Sequence, residues 1–111
     1  MNDTILLSRK LNETIKTSEP YITYEECKAE LLKRPDLVRA LSDFKRKNLE
    51  IQNNENIDNP YDEVNNLMSE YDGLLRDSVV NNFMKSEQRL CKMLKITYEE
   101  IADGLDIGIE E

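Results

Sequence analysis

An all-α fold is what this chain predicts: an elongated antiparallel bundle of about five helices, with a helical hairpin and a long C-terminal helix. Three observations predict it. Only three Gly and three Pro interrupt 111 residues. Apolar residues recur at helical spacing in every long segment, and no segment alternates with the period of a strand. Charged residues make up 34% of the chain and hydrophobic ones 39%. That balance suits helices with one apolar stripe and a solvated remainder, not a turn-rich β fold.

The elements follow in order. Asp3 is placed to cap a first helix with Leu7, Leu11 and Ile15 on one face. Thr17-Ser18-Glu19-Pro20 breaks it and opens a second, since Pro is tolerated in a first helical turn. The second helix carries Tyr21, Tyr24, Cys27 and Leu31 as one stripe and is expected to end at Arg34, because Pro35 pushes its predecessor out of helical geometry. A third helix opens at Pro35-Asp36 with Leu37, Leu41, Phe44, Asn48 and Ile51 at alternating spacings of four and three. Such a seam resembles a coiled coil with one polar member. Asn48 either sets register or lies solvated at the seam's edge, and the second reading is favoured.

The stretch from Asn53 to Pro60 is rich in turn residues, and its length suits a hairpin returning the chain antiparallel to the third helix. A fourth helix, from about Tyr61 to Leu75, shows Val64, Leu67 or Met68, Tyr71, and Leu74 or Leu75 on one face, with a kink expected near Gly73. The fifth runs from Asp77 to Leu105, uninterrupted by Pro or Gly before Gly104. Its seam reads Val80, Phe83, Glu87, Leu90, Leu94 and Ile101. A stripe that long needs a neighbour to cover it. Residues 1–105 are therefore read as one helical domain, and 106–111 as a short acidic tail.

The net charge of −8 argues against direct nucleic-acid binding, which needs a basic surface. Charge is uneven: residues 1–50 are close to neutral, and nearly all the excess acid lies in the second half. Lys45-Arg46-Lys47 is the one basic triplet, read as a solvated helix face. The chain has no His and only two cysteines, Cys27 and Cys91, far apart and outside any CxxC, so a zinc site within one chain is not expected. A redox or metal role for the two thiols across subunits is the outside alternative. No apolar run is long enough for a signal peptide or a membrane span, which leads to a cytoplasmic chain with reduced thiols.

Catalysis finds no constellation. Acidic pairs such as Glu25-Glu26, Asp62-Glu63 and Glu99-Glu100 are helical neighbours pointing to different sides. No glycine-rich phosphate loop is present, and a lone Cys without His has no activating base. The chain is read as a non-enzyme without cofactor. Phe83, Glu87, Leu90, Leu94 and Ile101 are assigned to packing and association. Glu87 has two readings, a structural ion pair at the bundle edge or recognition of a basic group on a partner, and the first is favoured. Met93 and Tyr98 lie off the main stripe, which marks an interface if exposed and an enclosed helix if not.

Three stretches in order carry a family likeness. These are Leu7, Leu11, Ile15 and Ser18-Glu19; then Lys33-Arg34-Pro35-Asp36-Leu37 and Phe44; then Val80 and Phe83-Met84-Lys85-Ser86-Glu87-Gln88-Arg89-Leu90. The chain resembles the YlbF/YmcA family over about residues 4–105, with its YheA-like branch as the nearest likeness. The resemblance implies a small all-helical cytoplasmic protein that self-associates as a dimer or tetramer, with no catalytic residues to carry over. YlbF and YmcA act with YaaT in competence, sporulation and biofilm formation, and assist mRNA processing by ribonuclease Y. A YaaT-like protein or a ribonuclease is therefore an expected partner. Those two proteins bear a cysteine-containing C-terminal extension linked to iron–sulfur clusters. No cysteine follows Cys91 here, which leaves a self-associating YheA-like helper as the alternative.

Overall fold

The computed structural model describes residues 2–105, and all regular structure among them is helical. Helix α1 spans Asp3–Lys16, α2 Glu19–Leu32, α3 Pro35–Asn53, α4 Pro60–Glu70, α5 Asp72–Arg76 and α6 Ser78–Ala102. The acidic segment 106–111 lies outside the described residues.

Most boundaries have local causes. Asn2, not Asp3, caps α1: its side-chain oxygen accepts the Ile5 N–H at 3.1 Å, and Asp3 becomes the acidic residue of the first turn. Either residue type can cap. Pro35 and Pro60 are first residues of their helices and Pro20 a second residue, where a missing N–H costs nothing. Helix α2 stops at Leu32, two residues before the expected end, and the Arg34 N–H turns back to the Leu31 carbonyl at 2.9 Å. Asn59 accepts the Asp62 N–H and donates its amide to the Asp62 carboxylate, closing the start of α4. Asp77 accepts the N–H groups of Val79 and Val80 at 2.9 and 3.3 Å, starting α6. Gly104 follows α6 with a positive φ of 77°, a conformation glycine adopts without strain.

The structure corrects the fourth helix and the helix count. The expected helix from Tyr61 to Leu75 is two, so six helices replace about five among the described residues. The break falls at Tyr71 (φ −101°, ψ 20°), not at Gly73, which lies inside α5. Tyr71 is held by tertiary contacts: its ring meets Phe44 edge-on at 5.5 Å, and Lys47 Nζ sits 5.2 Å from its centroid. A residue anchored on one side while the chain turns on the other explains a break that helix propensity does not.

The core is small and local. Leu31, Leu41, Phe44, Leu67, Val80 and Phe83 form one buried cluster, with Val80 wholly enclosed. Helix α2 lies along α6, α3 along α4, and the short α5 bridges α3, α4 and α6. Glu19 faces Arg89 while Tyr24 faces Phe83, so α2 and α6 run antiparallel. The molecule measures 51 × 37 × 18 Å with a radius of gyration of 18.2 Å. A globular chain of this length has about 13 Å, so part of the molecule projects away from the core.

Candidate interaction surface

Helix α6 changes character along its length. Its first half is held by the rest of the chain: Val80, Phe83, Ser86 and Leu90 are buried. Ser86, the one buried polar side chain among the described residues, donates its hydroxyl to the Phe83 carbonyl at 2.7 Å. Tyr24 of α2 lies 5.5 Å from Phe83, ring centre to ring centre. Beyond Leu90 nothing is buried. Leu94, Ile96, Tyr98 and Ile101 are exposed, and Met93 and Thr97 are half-buried.

Helix α1 is uncovered in the same way. None of its fourteen residues is buried, and Ile5, Leu6 and Leu7 are among the exposed large hydrophobics. Its helix–helix contact is with α2, and it makes no substantial contact with α6. The turn that sets it off is two residues long. Ser18 does not use its side chain to cap α2; its hydroxyl donates back to the Ile15 carbonyl at 2.6 Å, and the Thr17 hydroxyl donates to the Thr14 carbonyl at 3.1 Å. Where the start of α2 meets α6 there is an apolar hollow of about 290 Å³, lined by Pro20, Arg89, Lys92, Met93, Ile96 and Thr97. The α1 arm and the distal half of α6 thus leave the core with apolar faces and a hollow at their base.

The sequence-selected residues divide between these two environments. Phe83 and Leu90 are buried within the chain, and Glu87 is half-buried. Leu94 and Ile101 are 40% and 57% exposed, so the chain itself covers neither. The partner of Glu87 is Lys45 of α3, whose Nζ donates to both carboxylate oxygens at 3.0 and 3.1 Å and lies 5.5 Å from the Phe83 ring centre. This is the structural ion pair favoured from sequence, but with a cation forty-two positions away, not the nearby Arg89 or Lys92.

The basic triplet is correspondingly less idle than expected. Lys45 ties α3 to α6, Lys47 covers Tyr71 and approaches Glu70 at 3.9 Å, and Arg46 pairs within its own helix to Asp43 and Glu50. Arg89 reaches α2, donating to Glu19 at 2.9 Å. That hydrogen bond, and then the guanidinium charge, lower the Glu19 carboxyl below its usual range. Asn48 is half-buried at the seam, with its side-chain oxygen 3.5 Å from the Gln52 amide.

Sequence reasoning missed α1 as a surface, because its Leu7, Leu11, Ile15 stripe looks the same whether covered or not. It also missed Lys45. The signal was present: Lys45 follows Phe44 directly and so borders the buried stripe of α3.

Cys27 is half-buried and Cys91 exposed, and both are free thiols. Among the described residues no three His, Cys, Asp or Glu side chains gather as metal ligands would. No helix among them is long and apolar enough to cross a membrane. The surface can therefore do one thing well: offer two apolar helix faces, flanked by charge, to another helix.

A family model described as "Control of competence regulator ComK, YlbF/YmcA" matches residues 5–106. No curated protein and no solved structure matches the chain.

Proposed function

The chain belongs to the YlbF/YmcA family, and on that premise we propose that it is a non-enzymatic regulatory adaptor acting through protein–protein contact. The family is described as controlling the competence regulator ComK, a regulatory role and not a catalytic one. In the finer reading, the chain joins a YaaT-like protein and a ribonuclease in an assembly that governs mRNA processing, and through it competence, sporulation or biofilm formation.

One observation carries the adaptor reading. A fourteen-residue helix with no buried residue, α1, accompanies a distal α6 whose Leu94, Ile96 and Ile101 are exposed. An isolated helix of about 12–15 residues is marginal in water without packing on an apolar face. Contiguous apolar surface of this kind marks an interaction site.

The test is co-purification of the tagged full chain with a YaaT-like protein and with ribonuclease Y, beside its Leu94→Asp variant. The adaptor reading expects recovery of at least one of them by the unaltered chain and loss of that recovery in the variant. Recovery of neither, or equal recovery by the folded variant, overturns it. A second reading, a YheA-like helper whose only partner is itself, draws on the same exposed surface. It expects no specific protein in the pull-down and an oligomer that persists on dilution.

A further inference from the structure

We propose that the occupant of this surface is a second copy of the chain, with the α1 arm of each protomer laid antiparallel along the distal α6 of the other. This deepens the adaptor reading and rests on its premise that α1 and the distal α6 form an interface.

The argument begins with register. Within one chain Glu19 stands opposite Arg89 and Tyr24 opposite Phe83. Each step back along α2 is therefore a step forward along α6. Extended past Glu19, the same register places Ile15 beside Met93, Leu11 beside Thr97 and Leu7 beside Ile101. These are the stripe of α1 and the continuation of the α6 stripe whose first half faces α2. The charges agree as well. Glu13 falls beside Lys95, and Arg9 and Lys10 fall beside Glu99 and Glu100; only Lys16 meets a like charge, Lys92.

Length agrees too. The fourteen residues of α1 span about 21 Å at 1.5 Å per residue, and residues 91–102 of α6 about 18 Å. Yet α1 does not take this place in its own chain. The two-residue turn at Thr17-Ser18, held by hydroxyl bonds back to Thr14 and Ile15, sends it away from α6 and leaves the hollow beside Met93 and Ile96 open. Two faces that match each other but do not meet within the chain are satisfied by exchange. A two-fold axis supplies the exchange twice, since each protomer offers one arm and one α6 end. A single pair of copies then closes, with no unsatisfied face left to recruit a third.

The experiment places one cysteine in each of two proteins. In a background with Cys27→Ser and Cys91→Ser, Leu7→Cys is made in one tagged chain and Ile101→Cys in another. The two are co-expressed and treated with a short bifunctional maleimide, whose reach tolerates a slip of one residue. The proposal expects a covalent heterodimer containing both tags, and a dimer mass by light scattering over a range of concentrations. It also expects Glu13→Lys and Lys95→Glu each to weaken the dimer about two- to fivefold, with the double variant restoring it.

Absence of the heterodimer overturns the proposal, and so does an internal crosslink in a monomeric chain bearing both cysteines, which would mean that α1 closes on its own α6. A monomer at every concentration that still recovers a YaaT-like protein through Leu94 overturns the exchange and leaves the adaptor reading standing. A crosslinked dimer whose recovery of partners ignores Leu94→Asp does the reverse.

Discussion

The first and second halves of α6 have much the same apolar periodicity and opposite surroundings. From Ser78 to Leu90 its stripe is buried by α2 and the core; from Cys91 to Ala102 it is bare. What differs is the neighbour, not the helix. Tyr24, Cys27 and Leu31 of α2 end their cover at Glu19 and Pro20, and the chain then turns away into α1. An amphipathic pattern therefore says that a face will be covered and is silent on what covers it. The covered half contributes stability, while the bare half is left for association.

Substitutions can separate the two halves. The largest contrast is charge in the seam. Leu90→Asp places a carboxylate where the side chain is enclosed, and this is expected to unfold the chain. Leu94→Asp, one turn further on, is expected to leave helical content unchanged by circular dichroism. If both variants unfold alike, the division of α6 is wrong. Next comes truncation. Phe83→Ala should cost about 3–5 kcal/mol in urea denaturation, whereas Ile101→Ala in dilute protein should stay within about 0.5 kcal/mol.

The caps offer a smaller contrast. Asp77→Ala, at the end of α6 joined to the core, should cost about 1 kcal/mol of global stability. Asn2→Ala, at the tip of the uncovered α1, should fray that arm without moving the denaturation midpoint.

Ion pairs come last. Glu87→Gln, which weakens the hold of Lys45 on α6, should cost up to about 1 kcal/mol, with less effect at high salt. Glu19→Gln probes the last point before cover ends. Arg89 lowers the Glu19 carboxyl from its usual 4.5. The pair's contribution is therefore present above that value and is lost as pH falls through the lowered one. The variant should be slightly less stable than the unaltered chain at neutral pH, and the two should converge in acid. A difference that persists when Glu19 is protonated would assign the effect to packing instead.

Much of the fold was legible because its punctuation is local. Pro20, Pro35, Pro60 and Asp77 mark starts by backbone chemistry that needs no tertiary context, and Gly104 marks a stop. The family likeness rested on the same ordered stretches, and the matching family model covers residues 5–106. The break at Tyr71 was not legible, since Phe44 and Lys47, from another helix, hold the residue. The pairing of Lys45 with Glu87 was hidden for the same reason. Of the selected seam, Phe83 and Leu90 are enclosed while Leu94 and Ile101 are not, a difference that periodicity cannot register.

The pairing of α2 with α6 also has a consequence for how the chain acquires its structure. Residues 33–77 lie between these two helices, so their contacts close a long loop. The α3–α4 hairpin closes across only a few residues and can form early, since local contacts require the least chain entropy. On a ribosome, Tyr24, Cys27 and Leu31 would emerge well before Val80 and Phe83 exist to cover them. During that interval the α2 face is the exposed hydrophobic surface of a nascent chain, the state most open to aggregation. The acid-rich second half then arrives on a segment whose charge is nearly balanced, and the last long helix to be made completes the core.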